Sequence, residues 1–218
     1  MNLVLDEDVA EILSLAHGRP AGVLQRMEAH ARDRNFPIVG PDVGALLRVV
    51  ATMVDAERVF EFGSGFGYSG AWFAGAIPET GEIHLTDYDE DNAATARAFL
   101  RDGGYEDRAT VHVGDAMDVF GDTSGAFDVV LIDHEKRMYT DAFHMAADRV
   151  AEGGVIVADN MLAGPTSPDA VRRVLAGDGD DDDVAAAIGR YIETVRDDER
   201  FETALVPLGE GVALSVKR

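Results

Sequence analysis

The stretch RVFEFGSGFGYSG, residues 58–70, decides the fold of this 218-residue chain. An apolar run comes first, three glycines then alternate with other residues, and a helical pattern follows. Glycines at the end of a strand let backbone N–H groups at the start of a helix approach a ligand closely. The stretch therefore predicts a β-strand, a ligand-binding turn and a helix in succession, which is the first unit of an α/β sheet.

Strand and helix patterns alternate on the carboxyl side of this stretch. Short apolar runs predict strands, and apolar residues at helical spacing predict the helices between them. Strands are predicted at residues 58–62, 82–86, 110–113, 127–132 and 155–158, and helices at 69–77, 91–100 and 139–150. This alternation implies parallel strands joined by right-handed crossovers. We therefore expect an α/β fold with a doubly wound, mostly parallel, seven-stranded sheet.

The two ends of the chain depart from the alternation. Apolar residues at helical spacing behind Asp6 and after Pro41 predict helices before the first strand. Near the carboxyl end, only Gly209, Glu210 and Gly211 separate predicted strands at 203–208 and 212–216, which is typical of an antiparallel hairpin. We expect a single domain, residues 1–218, in which a helical cap, 1–56, precedes the α/β core, 57–218.

The stretch 177–183, GDGDDDD, is acidic and has no apolar residue. It is interpreted as a solvated surface loop. A Ca²⁺-binding loop is the alternative, but the glutamate that closes an EF-hand is missing.

Composition narrows the class of protein. Apolar runs are too short for a membrane span and the first residues are acidic, so we expect a soluble, cytoplasmic protein without a membrane partner. Without cysteine, a metal would need oxygen or imidazole ligands. The 41 acidic and 19 basic residues give a net charge of -22, which repels polyanions. This acid excess, with Lys136 and Lys217 as the only lysines, is similar to proteins of salt-loving microbes.

The glycine-rich turn is compatible with two cofactors. Residues 65–70 match the dinucleotide pattern GxGxxG, and Asp87 follows about 20 residues later, where an acid binds a ribose. NAD-dependent oxidoreduction therefore stays open, as does a purely structural role for the glycines. Glu61, two residues before the first glycine, favours S-adenosylmethionine instead, through the resemblance described below.

Acidic residues also follow the fourth and fifth predicted strands. Asp133 ends the fourth strand, and Asp159 and Asn160 end the fifth. Because the carboxyl ends of the first, fourth and fifth strands meet at the switch point of such a sheet, these side chains are expected to converge beside Gly63. Two carboxylates and an amide oxygen suit Mg²⁺, Ca²⁺ or Mn²⁺. A helix cap at Asp133 and a plain Asx turn at Asp159 are the alternatives.

These motifs together resemble one family. EFGSGFG at 61–67 is similar to the first motif of class I S-adenosylmethionine-dependent methyltransferases. DHEKRMY at 133–139 and ADN at 158–160 resemble the metal-dependent catechol and caffeoyl-CoA O-methyltransferases, and the likeness extends from 37–40 to 208–212. The resemblance implies a Rossmann-like methyltransferase fold, S-adenosylmethionine and a divalent cation as cofactors, a hydroxylated small-molecule acceptor, and a homodimer.

The resemblance also assigns roles to residues. Asp133, Asp159 and Asn160 would bind the cation, and Lys136 would act as the general base beside Asp133. Asp87 would bind the ribose hydroxyls, while Asp115 could equally be a helix N-cap. The residues that would bind the cofactor are Val39, Glu61, Gly63, Ser64, Gly65, Ser69, Asp87, Asp115, Ala116 and Asp133.

The motifs leave the acceptor open. Glu135 stands where mammalian catechol enzymes carry an aromatic residue beside adenine, and residues 161–168 match no substrate class. A catechol-like molecule, an acyl thioester and a hydroxylated tRNA base are the candidates. A tRNA partner needs a basic face, so the net charge of -22 disfavours it.

Overall fold

A computed structural model describes residues 6–18, 20–179 and 182–218 of the chain. Seven strands form one sheet, and helices precede it and connect its strands. The strands are β1 (Arg58–Phe62), β2 (Glu82–Asp87), β3 (Ala109–Val113), β4 (Phe127–Ile132), β5 (Val150–Ala158), β6 (Phe201–Val206) and β7 (Val212–Lys217). The helices are α1 (Glu7–His17), α2 (Val23–Arg34), α3 (Gly40–Met53), α4 (Tyr68–Ala74), α5 (Glu90–Asp102), α6 (Ala116–Asp122), α7 (Tyr139–Ala147), α8 (Pro168–Ala176) and α9 (Asp183–Asp197).

The sheet has the strand order β3-β2-β1-β4-β5-β7-β6. Strands β1 to β5 pair in parallel, whereas β7 is antiparallel to both β5 and β6. The predicted Rossmann-like alternation and the carboxyl-terminal hairpin are confirmed. Phe62 lies opposite Ile132, and Ile132 lies opposite Ala158, so β1, β4 and β5 end at the same level.

Side chains of β1 alternate between two cores. Val59 packs with residues of α3, α4 and α5, whereas Phe60 and Phe62 pack on the other face with residues of α6, α7, α8 and α9. Both phenylalanines are fully buried, and burial of a side chain of this size contributes about 1.5–3 kcal/mol. Helices therefore cover both faces of the sheet and leave its carboxyl edge for the site.

Several helices begin at an acidic N-cap. Asp6 accepts a hydrogen bond from the N–H of Asp8, and Asp89 accepts bonds from the N–H groups of Asp91 and Asn92. Such bonds satisfy N–H groups that lack a partner in the first turn, and the negative charge suits the positive end of the helix dipole. Part of the acid excess therefore stabilises helix starts.

The element ends differ from the prediction at β5. This strand begins at Val150 instead of residue 155, and α7 ends at Ala147 instead of residue 150. The reason is a register shift against β4: Phe127 pairs with Val150, but Val129 pairs with Val155. Gly153, with φ 76°, lies in the extra segment, and a local irregularity of this kind is invisible to apolar periodicity.

Helices α2, α8 and α9 were not among the predicted elements, and of α6 only the possible N-cap at Asp115 was predicted. The acidic stretch 177–183 lies between α8 and α9, where Gly177 ends one helix and Asp182 caps the next. Residues 180 and 181 of this stretch lie outside the described residues, so the surface loop and the Ca²⁺-binding loop both stay predictions. None of the helices that the structure describes has both the length and the apolar character of a membrane span.

Two histidines face each other across β2 and β3. Nδ1 of His84 lies 3.1 Å from Nε2 of His112, and the rings stack at 5.4 Å. Burial lowers the pKa of His84, and the neighbouring His112 lowers it further. Burial also lowers the pKa of His112, together with the charge of Arg97. The folded protein therefore favours a neutral pair.

We expect this pair to weaken the fold in mild acid. The unfolded histidines take up protons near pH 6.5 and the folded pair does so only at lower pH, so the free energy of unfolding falls as the pH drops below about 6.5. In the variant His112→Gln this fall should be shallower between pH 7.5 and 5.5, as measured by urea unfolding at constant salt. The exposed His144→Gln is the control, and parallel curves for wild type and His112→Gln would contradict the assignment.

Candidate active site

The carboxyl ends of the parallel strands line a cavity of about 1380 Å³. Every residue that the sequence assigned to cofactor, cation or catalysis lines this cavity. They are Val39, Glu61, Gly63, Ser64, Gly65, Ser69, Asp87, Asp115, Ala116, Asp133, Lys136, Asp159 and Asn160. The parallel register explains their convergence, because each strand delivers the residues that follow it to the same edge.

The glycine-rich turn is shaped by close contacts. Gly63 has φ 81°, and a Cβ atom there would lie 2.7 Å from the carbonyl oxygen of Asp133. Gly65 has φ 51°, and its Cβ would lie 2.8 Å from the ring of Phe36. The buried Thr86 fixes the turn, since its hydroxyl accepts the N–H of Gly63 at 3.1 Å. A side chain at either glycine would therefore push against other residues of the cavity lining, Asp133 and His134 at Gly63 and Phe36 at Gly65.

Glu61 is a buried acid that lacks a full set of partners. It is 1% exposed, and its Oε1 accepts a hydrogen bond from the hydroxyl of Ser69, whereas Oε2 has no partner. Burial raises the pKa of Glu61 to about 8, although the bond from Ser69 opposes the shift. A carboxylate in this position is ready to accept a hydrogen bond from a cationic group of a ligand.

Asp87 and Asp115 lie at the ends of β2 and β3. The Oδ1 atom of Asp87 accepts the N–H of Asp89 at 2.8 Å and the Nδ2 of Asn92 at 3.2 Å, which fixes the carboxylate at the cavity wall. Asp115 caps α6, since Oδ1 accepts the N–H of Met117 at 2.8 Å. The N-cap interpretation of Asp115 is thus confirmed, and the residue also lines the cavity.

Asp133 and Asp159 form an acidic pair, in which Asp159 is buried and Asp133 is partly buried. Asp159 is 3% exposed, and its Oδ1 has no hydrogen-bond partner. Burial raises the pKa of Asp159 to about 8, and the charge of Asp133 adds to the shift. Burial also raises the pKa of Asp133, against the charge of Lys136. Both carboxylates therefore need positive charge from outside the pair.

Asn160 and Glu210 line the cavity beside Asp133 and Asp159. Asn160 has φ 62°, in the left-handed region, and its Nδ2 donates to Oε2 of Glu210. This bond leaves the amide oxygen of Asn160 as a free acceptor. The charge of Glu210 raises the pKa of both Asp133 and Asp159, so Glu210 adds negative charge beside the pair.

The donor set suits a hard divalent cation. The set has a buried carboxylate with an unpartnered oxygen, a partly buried carboxylate and an amide oxygen, which are ligands that Mg²⁺, Ca²⁺ and Mn²⁺ prefer. In the described ranges, no group of three or more His, Cys, Asp or Glu side chains could hold a metal ion. The set predicted here has two such side chains, and Asn160 is its third member.

Lys136 is held by three acceptors. Its Nζ donates to Oδ1 of Asp133 at 3.2 Å, to the carbonyl oxygen of His134 at 3.3 Å and to the hydroxyl of Tyr139 at 2.5 Å. An ammonium group has three donors, so all of them are engaged. Lys136 therefore partly neutralises Asp133 in this structure, and it would have to release a bond before accepting a proton.

His134 packs inside the site as a neutral ring. It lies 5.4 Å from Phe62 and stacks on Tyr139 at 5.6 Å, and neither ring nitrogen has a hydrogen-bond partner. Burial lowers the pKa of His134 to about 4, and the charge of Lys136 contributes. These contacts agree with a packing or cofactor-facing role for His134.

Residues of the site that were not identified from the sequence include Phe36, Thr86 and Asn92, described above, as well as Glu210 and Tyr139. Glu210 lies in the turn of the predicted hairpin, and the hairpin itself could have indicated that this residue belongs to the site. Because β7 runs antiparallel beside β5, the turn before β7 returns to the edge where Asp159 lies. Tyr139 was noted only as part of a motif and as a helix start. It is fully buried, and the packing of α7 against the sheet determines where its hydroxyl lies.

Comparisons with known proteins agree with this geometry. A catechol O-methyltransferase of Niastella koreensis is 32% identical over 128 residues, which are 57% of this chain and 58% of that protein. A protein of Mycobacterium marinum named as an O-methyltransferase is 29% identical over 95% of this chain and 92% of its own length. A cofactor-bound structure from MTB is 27% identical, with a TM-score of 0.84 over 97% of this chain and 96% of the other.

A family model described as O-methyltransferase matches residues 21–218, which include the whole sheet and every residue assigned to the site. A methyltransferase assignment accounts for the DHEK and ADN segments, which NAD-dependent oxidoreduction leaves unexplained. The fold, the cavity and the sequence match agree, and the chain belongs to the O-methyltransferase family.

Proposed function

We propose that this enzyme transfers the methyl group of S-adenosylmethionine to a hydroxyl oxygen of a catechol-like small molecule with the help of a divalent cation. One observation carries the proposal: the unpartnered, buried Oδ1 of Asp159 lies in the same cavity as the glycine-rich turn, beside Asp133 and Asn160. A cation-binding set and a cofactor-binding set at one edge of the sheet are what metal-assisted methyl transfer requires.

The cofactor-facing residues divide by chemistry. Oε2 of Glu61 would accept a bond from the cationic methionine end, beside the backbone of Gly63, Ser64 and Gly65. Asp87 would bind the ribose hydroxyls. Asp115 and Ala116 would lie along the adenine, with His134 and Phe62 packed behind them. Val39, in the segment before α3, lines the same cavity and would cover the cofactor.

The acceptor would react beside Asp133, Asp159 and Asn160. Asp133, Asp159 and Asn160 would hold the cation, which supplies Lewis-acid chemistry by lowering the pKa of a coordinated hydroxyl. S-adenosylmethionine would supply the methyl group: the acceptor oxygen would bond to the methyl carbon as the carbon–sulfur bond breaks, and the electrons of that bond would stay on sulfur. Lys136 either takes the hydroxyl proton or keeps Asp133 in position while the proton leaves to solvent.

Methylation of tRNA is the second acceptor class, and no feature of the described residues favours it. Lys136 is the only Lys or Arg among the cavity-lining residues that the structure describes, and it is engaged with Asp133. The homodimer, the cytoplasmic location and the salt-loving origin stay predictions.

The cation assignment predicts a thermal shift that does not depend on turnover. Mg²⁺ or Mn²⁺ should raise the melting temperature of wild type, because a ligand that binds only the folded state stabilises it. Asp159→Asn should remove this rise, and it should also stop methyl transfer to catechol as EDTA does. The exposed Glu193→Gln is the matched control. Full activity in excess EDTA would overturn the assignment.

The Lys136 assignment predicts a loss of turnover. Lys136→Met keeps the aliphatic stem and removes the amine, so turnover should fall by about 10²- to 10⁴-fold if Lys136 accepts the proton. Lys217→Met is the control, because Lys217 is the other lysine and binds the carbonyl oxygens of Ala147 and Val150 at the opposite edge of the sheet. Wild-type turnover in Lys136→Met would leave proton removal to the cation.

The Asp87 assignment predicts weaker cofactor binding. Asp87→Ala removes a charged hydrogen-bond acceptor for the ribose, so binding of S-adenosylmethionine should weaken by about 1.5–3 kcal/mol in calorimetry. The fold should persist, since Asp87 lies at the end of β2. Unchanged affinity would exclude Asp87 from the cofactor site.

A further inference from the structure

We infer that Tyr139 is a positioning residue for Lys136: its buried hydroxyl holds the amine in the site when a cation occupies Asp133, and the rate of methyl transfer depends on this contact. The inference rests on the proposed function, because it concerns the side chain proposed there as the general base. Tyr139 is not among the described residues that line the cavity, so it acts through Lys136 and does not contact the acceptor.

The hydroxyl of Tyr139 has a fixed position. Tyr139 is the first residue of α7 and is 0% exposed. Its ring stacks on His134, with centroids 5.6 Å apart, and meets the ring of Tyr191 edge-on at 5.7 Å. A close-packed interior leaves a ring of this size little room to move. The packing of α7 therefore determines where the hydroxyl lies, whatever is bound in the cavity.

Lys136 depends on its partners for its position. A lysine carries its charge on a flexible four-carbon stem, so contacts of Nζ decide where the charge lies. Nζ lies 3.2 Å from Oδ1 of Asp133, 3.3 Å from the carbonyl oxygen of His134 and 2.5 Å from the hydroxyl of Tyr139. The bond to Tyr139 is the shortest of the three.

A cation at Asp133 would remove one of these three partners. Asp133 is a proposed ligand, and a carboxylate that binds a divalent cation no longer offers its charge to an ammonium group. The cation also repels the ammonium group, because like charges at short range in a partly buried site interact strongly. The carbonyl of His134 and the hydroxyl of Tyr139 are then the partners that remain. Of these two, only the hydroxyl belongs to a side chain, so it can be removed by substitution.

Tyr191 provides a matched comparison for Tyr139. Both tyrosines are 0% exposed and belong to the same hydrophobic core. The hydroxyl of Tyr191 has no hydrogen-bond partner among the described residues, whereas that of Tyr139 contacts Lys136. Tyr139→Phe and Tyr191→Phe thus remove the same atom from one core and differ in the contact with Lys136. Phenylalanine at 139 also keeps a ring for Nζ, which lies 4.6 Å from the ring centre.

The first experiment is a double-mutant cycle that measures methyl transfer from labelled S-adenosylmethionine to catechol with saturating Mg²⁺. Tyr139→Phe should lower kcat by about 10- to 100-fold, the range expected for one lost hydrogen bond to a charged group. Tyr191→Phe should keep the wild-type kcat. In the Lys136→Met background, adding Tyr139→Phe should lower kcat no further, because the partner of the hydroxyl is already gone. Calorimetry should show wild-type affinity for S-adenosylmethionine in both phenylalanine variants.

The second experiment needs no turnover. Lys136 and Lys217 are the only lysines of the chain, so acetic anhydride labelling followed by mass spectrometry can compare their amines directly. With Mg²⁺ present, Lys136 should be labelled faster in Tyr139→Phe than in wild type, because its amine has lost a partner. Lys217 is the internal reference, since its Nζ binds the carbonyl oxygens of Ala147 and Val150. Tyr191→Phe should be labelled as wild type is.

The outcomes separate the inference from the proposed function. Wild-type kcat in Tyr139→Phe, with a slow Lys136→Met, would show the inference to be wrong and leave the proposed function standing. An equal loss of kcat from Tyr139→Phe in the Lys136→Met background would do the same, since repacking of the core would then be responsible.

Wild-type turnover in Lys136→Met would overturn the inference together with the role of Lys136 as the base. If wild type does not methylate catechol, the proposed acceptor fails, and labelling still decides the contact on which the inference depends. Equal labelling of Lys136 in wild type and Tyr139→Phe would then overturn the inference as well.

Discussion

The parallel register of β1, β4 and β5 is the constraint on which the site depends. The N–H of Asp133 donates to the carbonyl of Phe62 at 2.9 Å, and the N–H of Asp159 donates to that of Ile132 at 3.3 Å. These two bonds continue the sheet by one residue past each strand. They hold the glycine-rich turn and both acids at one level, so a slip of one residue would turn each acid to the other face.

The acids at this edge of the sheet lower the stability of the fold, and the two hydrophobic cores compensate for this loss. Glu61 and Asp159 are buried acids and Asp133 is a partly buried one, and loss of contact with water raises the pKa of each. Removing a charge from water is unfavourable unless a partner compensates it. Burial of the apolar residues on both faces of the sheet stabilises the fold and offsets the unfavourable burial of these acids. A cation and a cationic cofactor would relieve it, which links ligand binding to the stability of the fold.

The excess of acidic residues affects the charge of the whole chain and also individual helices and the cavity. Across the chain it gives a net charge of -22, part of which caps helices at Asp6 and Asp89. Within the cavity it supplies seven carboxylates among the lining residues that the structure describes. The same composition that repels polyanions from the surface therefore also supplies the acids of the cavity.

The sequence by itself determined the α/β alternation, the hairpin and the cavity-lining positions, because strand ends in a parallel sheet share one edge. Asp133, Asp159 and Asn160 could be placed together on that ground alone. Only the tertiary structure revealed that Glu210 bonds to Asn160 and that Tyr139 shares Lys136 with Asp133. These contacts depend on how β7 and α7 pack against the sheet, and side-chain packing between distant segments has no periodic signal in the sequence.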